Sequence, residues 1–237
     1  VKVLLVKLKL KHLNNMGHKV HPKIHRLPVL FPWASRWVTK TNYADTVRED
    51  IQIREYVIEK GKEAQIDSVH LERSAKQVTI TIFSGKPGVL IGRGGQGLDV
   101  LRKDIERKFL HMKHKVKLNI QEMSAPSLSA QIVADGIAKD LVGRLPFRRL
   151  MKQNMERVMK AGAQGVKISL SGRLNGAEIA RTEKMAQGKI PLITLRSNVE
   201  FASVGAQTLQ GTIGVKVWIY QGESFERVDK MANVNQA

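Results

Sequence analysis

The 237-residue chain is 42% hydrophobic and 26% charged, a balance that permits a packed core and argues against global disorder. Lys and Arg number 40 against 21 Asp and Glu, and the resulting formal charge of +19 points to a polyanionic partner, nucleic acid being the commonest. The absence of cysteine excludes disulfides, thiolate zinc sites and Cys nucleophiles, and no apolar run approaches the ~20 residues of a membrane span.

Residues 1–15, VKVLLVKLKLKHLNN, alternate Lys with Leu and Val. The lysines interrupt the apolar core a signal peptide needs, and the Arg and Ser of a transit peptide are missing. The stretch reads as an extension ahead of a start at Met16. From Met16 to Asn42 the chain has no acidic residue, and Pro22, Pro28 and Pro32 discourage regular structure. His18, Lys19, His21, Lys23, Arg26, Trp33, Arg36 and Trp37 make it a basic, aromatic arm suited to lying extended on RNA and ordering there. Its three histidines, with His25, lack any Asp, Glu or Cys nearby, so no metal is expected.

A helical period follows from Asp45 to Lys62, with Val47, Ile51, Tyr56 and Ile58 as the expected apolar stripe and Gly61 as the stop. Alternating patterns predict strands over Ile66 to Leu71 and Val78 to Phe83. After SGKPGVLIGRGGQG, a helix is predicted from about Gly97 to Leu110, burying Leu98, Leu101, Ile105 and Phe109. Asp99 with Lys103 and Asp104 with Lys108 are its expected outer ion pairs. A third strand covers Val116 to Ile120. Beyond a junction at Ser124 to Ser129, helices are predicted over Leu128 to Val142 and Phe147 to Ala161. Strands are predicted at Val166 to Leu170, Ile190 to Leu195 and Ile213 to Tyr220, and the tail after Gly222 lacks periodicity. The divisions are then 1–15 (extension), 16–62 (arm and helix), 63–123, 124–222 (an α+β domain of two helices against a small mixed sheet) and 223–237 (tail).

IGRGGQG fits two motifs. Gly92, Gly94 and Gly97 fit the dinucleotide fingerprint, with Glu122 as a possible ribose acid. Gly92 and Gly95 fit the G-x-x-G loop with which KH domains clamp RNA. A dinucleotide turn must leave a strand directly. Here the strand ends near Phe83 and KPGVLIG reads as a short helix opening at Pro87. The order strand, strand, short helix, loop, helix, strand is that of a type II KH domain (α-β-β-α-α-β). In this reading Val89, Leu90 and Ile91 form an apolar floor, Gly92, Gly94 and Gly95 let the RNA backbone approach, and Arg93 meets phosphate. Walker A spacing is absent around Gly85-Lys86, which precede Pro87.

A second basic group holds Arg144, Arg148, Arg149, Lys152, Arg157 and Lys160. Arg148, Arg149 and Lys152 share one quadrant of the predicted helix, and Met151, Met155 and Val158 share another. Downstream, Gly172, Arg173, Gly176 and Arg181 lie beside Glu178 and Glu183, acids placed to pair with these arginines.

MGHKVHP, PGVLIGRGGQGLDVLRKDI, PFRRLMK, SGRLNGAEIARTE, KIPLITLR and IGVKVWIYQGE together resemble one family over about residues 16 to 223. It is the bacterial form of the third protein of the small ribosomal subunit. The resemblance implies a non-enzymatic, cofactor-free structural constituent in the cytoplasm. It would bind small-subunit rRNA in the head, next to the tenth and fourteenth small-subunit proteins. With the fourth and fifth proteins it would line the channel through which mRNA enters, where Arg148, Arg149 and Lys152 help open mRNA structure. Gly172, Arg173 and Arg181 fall in the family's C-terminal signature. The chain departs from the family in lacking an arm glycine at KIHRLP, a second basic residue beside Arg93 and a long basic tail. Fewer charges at the loop imply weaker phosphate contact there. A free KH protein and an NADP-dependent oxidoreductase using Gly92, Gly94 and Gly97 are the alternative readings.

Overall fold

The computed structural model describes residues 19–27, 29–39, 42–74, 77–110, 112 and 114–225. The extension at 1–15, His18 and nearly all of the tail expected at 223–237 lie outside them. Two sheets, each backed by helices, divide the molecule. Among the described residues no helix is long and apolar enough to cross a membrane.

The arm is less extended than its prolines suggest. It forms a short helix α1 (Pro22–His25) and a two-residue strand β1 (Ser35–Arg36) that pairs parallel with β2 (Ile66–Arg73). Helix α2 (Tyr43–Lys60) lies against the first sheet. Its buried face is Asp50, Ile53 and Val57, whereas Ile51 and Ile58 of the expected stripe are exposed. The shift has an electrostatic cause. Asp50 turns inward because Arg73 Nε (2.6 Å) and Trp37 Nε1 (2.8 Å) both donate to its carboxylate. A buried charge with two donors is tolerated where an unpaired one is not. Ile53 and Val57 share a core with β2, β3 and the helix after the glycine loop, so α2 packs on the first sheet, with the arm joined to it through Trp37 and Ser35.

Strand β2 runs antiparallel to β3 (Gln77–Ser84), and β3 runs parallel to β4 (Lys115–Glu122). A parallel pair requires a crossover. Here it is α3 (Pro87–Ile91), a 3-10 turn over Arg93–Gly95, and α4 (Gln96–Lys108). Leu101 and Ile105 are the buried residues of α4. The expected outer ion pairs give way to closer partners, although the charge of Lys108 still acts on Asp104. Asp99 pairs with Arg102 at 3.0 Å, and Asp104 accepts from the Tyr56 hydroxyl of α2 at 2.6 Å.

A 3-10 turn at Pro126–Leu128 leads to α5 (Ala130–Val142). Ser129 caps it, accepting from Ile132 N at 3.3 Å while its hydroxyl donates to Asp67 of β2 at 2.5 Å. Helix α6 (Phe147–Lys160) follows, then β5 (Gly165–Gly172), β6 (Arg181–Gly188), β7 (Ser197–Thr208) and β8 (Gly211–Glu223). The strand order is β6-β5-β8-β7, antiparallel throughout instead of mixed, since none of its connections contains a crossover helix. Val166, Ile168, Leu170, Val215, Val217 and Ile219 point into a core shared with α5 and α6. The strand expected over Ile190 to Leu195 is instead a loop. Three of its carbonyls turn to Arg26: Pro191 and Leu192 at 3.1 Å and Thr194 at 3.0 Å.

Candidate nucleic-acid interface

The glycine loop follows a helix, not a strand. Strand β3 ends at Ser84, α3 intervenes, and Gly92 caps the C-terminus of α3 by donating to Gly88 O at 3.0 Å. The strand-turn-helix geometry that a dinucleotide fingerprint requires is therefore missing. Glu122 stands at the far end of β4, opposite Ser84.

The loop's glycines serve different ends. Gly92 has φ 69° and ψ −176°, a region open essentially to glycine alone. Gly97 has no such φ, but a Cβ there would sit 2.5 Å from Leu90 O and 3.0 Å from Ile91 O. Gly92 and Gly97 therefore make the close contact of α3 with α4. Gly94 (φ 59°) and Gly95 (φ 79°) are left-handed with open space where a Cβ would project. These two leave a surface an anion can approach. Gly95 begins α4 without a side-chain acceptor, which leaves the positive end of the helix dipole beside exposed Arg93. The apolar floor is split. Leu90 is 5% exposed and belongs to the first core, while Val89 and Ile91 face solvent.

The second basic group is built by amphipathy. Phe147, Leu150, Met151, Met155 and Val158 of α6 are buried. That fixes the rotation of the helix and sends Arg148, Arg149 and Lys152 outward, all exposed. Glu183 of β6 lies 3.6 Å from Arg148 Nη2 and 3.6 Å from Arg181 Nε. Both guanidinium groups stand 5.7 Å from the Phe147 ring centroid. The Arg148 side chain is 74% exposed, so this contact orients it without neutralising it.

The downstream signature is architectural where it can be traced. Arg173 donates from Nε to Ala177 O (2.9 Å) and from Nη1 to Gln210 O (3.3 Å), tying its loop to the turn between β7 and β8. Gly172 has φ 138°, and a Cβ there would approach Thr212 O to 3.0 Å.

The arm's candidates divide the same way. Arg26 is 1% exposed and donates to four main-chain carbonyls, Pro22 O at 2.9 Å included. Trp37 is tied to Asp50, and Arg36 lies 3.9 Å from Glu72. His21 packs edge-on to Phe201 at 4.7 Å; burial, then the charge of Lys23, keeps its imidazole below the usual histidine pKa. Lys19 and Trp33 are exposed, and Lys23 is half-buried above Phe31. Arg26 was missed as a structural residue because its partners are remote in sequence. Among the described residues no group of His, Cys, Asp or Glu converges on a point that could hold a metal.

Two protein families match the chain, one after the other along it. A KH domain matches residues 52–128, and the C-terminal domain of ribosomal protein S3 matches residues 137–219. Small ribosomal subunit protein uS3 of Thiobacillus denitrificans is 46% identical over 222 residues, covering 93% of this chain and 94% of the relative. The protein of the same name from Burkholderia thailandensis is 46% identical over 215 residues, covering 90% and 80%. With two domains of the expected kinds in the expected order and identity sustained along nearly its whole length, the chain belongs to the uS3 family of small ribosomal subunit proteins.

Proposed function

We propose that this chain is a constituent of the small ribosomal subunit that binds small-subunit rRNA and grips mRNA with the cationic ridge of α6. The observation that carries the mRNA role is the ridge itself. Arg148, Arg149 and Lys152 project from a helix whose opposite face is locked in the core. Three charges on a fixed spacing, of which Arg148 lies 3.6 Å from Glu183, suit the phosphates of a passing single strand. The grip is passive: it stabilises the opened strand electrostatically while translocation supplies the work. The loop at Gly94, Gly95 and Arg93 holds rRNA through backbone N–H groups and one charge.

In the arm, Lys19, Lys23 and Trp33 are the residues left to meet rRNA. Arg26 and Trp37 act from inside, by holding the arm to the body. The exposed apolar side chains Val20, Ile24 and Val29 support protein neighbours for the arm, the tenth and fourteenth small-subunit proteins. The fourth and fifth proteins complete the mRNA channel beside α6.

The test is translation by subunits carrying Arg148→Ala, Arg149→Ala and Lys152→Ala together. Messages with a stable hairpin should be slowed and unstructured messages spared. Equal slowing of both would contradict the ridge's role.

A further inference from the structure

The outer face of the second sheet carries three lysines, Lys167, Lys184 and Lys216, that neither the α6 ridge nor the glycine loop uses. Inward-facing Val166, Ile168, Val215 and Val217 leave their neighbours pointing the other way, away from α5 and α6. Strand register sets Lys184, Ser169, Lys216 and Ser203 in one row across β6, β5, β8 and β7. The next row holds Lys167, Trp218 and Phe201. Phe201 and Trp218 stack at a tilt, 5.1 Å between centroids, and both are half-exposed. The arm covers one end, with His21 against Phe201 and the Arg26 bonds fixing α1 to the loop at 191–194. Between arm and sheet lies a slot of about 830 Å³, within the range of sites that enclose small organic groups. Lys19, Lys167, Lys184 and Lys216 all line it, and among the described residues no Asp or Glu does.

Four ammonium groups around one cavity repel one another. Burial, then the like charges of Lys19 and Lys184, holds Lys167 below the ordinary lysine pKa. An anion in the slot removes that penalty. The lining also states which anion it fits. Lysine and serine alternate along the row, giving point charges and hydroxyl donors rather than the guanidinium forks that grip peptide carboxylates, and no Arg among the described residues lines the slot. The surface is a sheet face, not the edge a peptide strand would extend. An aromatic pair stands beside the cations, the combination that single-stranded nucleic acid uses on sheet platforms.

We infer that this slot binds a short single-stranded RNA segment, with phosphates on Lys19, Lys184 and Lys216, hydroxyl contacts from Ser169 and Ser203, and a base against Phe201 and Trp218. It is an RNA site on the opposite face of the sheet from the α6 ridge, and it does not depend on the ribosomal reading, because the free chain suffices to test it.

Tryptophan fluorescence of the full chain, titrated with hexauridylate, reads the slot through the part of the signal lost in Trp218→Phe. We expect quenching that the double variant Lys184→Ala, Lys216→Ala weakens, with a salt slope smaller by about 1.4, at about 0.7 per phosphate contact on a single strand. Uridine monophosphate, inorganic phosphate and hexaglutamate should each bind more weakly than the hexamer. Unchanged affinity and slope in the double variant would overturn the site, as would quenching that survives intact in Trp218→Phe. Monophosphate binding as tight as the hexamer would replace the RNA strand with a free nucleotide. Hexaglutamate binding tighter than RNA would replace it with an acidic protein segment.

Discussion

The loop at Gly92–Gly95 and the ridge on α6 both present positive charge to an anion, but they are built oppositely. In the proposed reading the loop works with backbone, through the positive end of α4, and its shape depends on residues without side chains. The ridge works with long side chains on an ordinary helix whose orientation is set by what it buries. The loop should therefore be sensitive to a single added atom and the ridge only to lost charge. A glycine motif of this kind also carries two separable requirements, architecture at Gly92 and Gly97 and access at Gly94 and Gly95.

The largest effect should come from beneath the ridge. Met151→Ala removes a fully buried side chain between α6 and the second sheet and should cost about 2–5 kcal/mol in urea unfolding. Arg149→Ala, two residues away and exposed, should change stability by less than about 0.5 kcal/mol. Comparable losses for the two would mean the ridge is not separable from its support.

In the loop the division falls between neighbours. Gly97→Val drives a Cβ into the carbonyls at the end of α3 and should destabilise the first domain by about 1–3 kcal/mol. Gly94→Asp meets open space, and Asp tolerates the left-handed region, so folding should be nearly unchanged. RNA binding to the full chain should nevertheless weaken, further with Arg93→Asp, because the new charge faces phosphate. Gly94→Asp unfolding as readily as Gly97→Val would merge the two roles.

A smaller effect tests how α4 is held behind the loop. Burial first, then the hydrogen bond to Asp104 and the charges of Asp104 and Glu59, push the Tyr56 phenol up to about 12. A raised phenol pKa means the bond favours the neutral form. Its contribution is in force below about pH 10 and is lost as pH rises through about 12. Asp104→Asn should bring the midpoint, followed by absorbance at 295 nm, back toward 10. A midpoint that stays at about 12 would assign the shift to burial and the charge of Glu59.

Much of this contrast could be read from residue order. The short helix at Pro87 and the inward set Met151, Met155 and Val158 follow from local spacing, and the structure has both. Long-range pairing was not legible. Asp50 occupies a buried turn of α2 because Arg73 and Trp37 meet it, and a search for apolar periodicity passes over a buried acid. KIPLITLR alternates like a strand, but its carbonyls serve Arg26, which lies 165 to 168 residues earlier. β6 escaped notice for a different reason. It is an edge strand, mostly exposed, and RTEKMAQG shows no alternation of apolar and polar residues. Charge marks the arm as RNA-binding in the sequence, while the contacts that clamp it to the body are visible only in the structure.

The most direct test of the central claim is retention on the ribosome. The tagged full-length chain, expressed in its own cell, should cosediment with the small subunit in near one-to-one amount after washing in high salt. Complete release into the wash, with RNA binding by the free chain intact, would contradict a ribosomal constituent and leave a free KH-type RNA-binding protein.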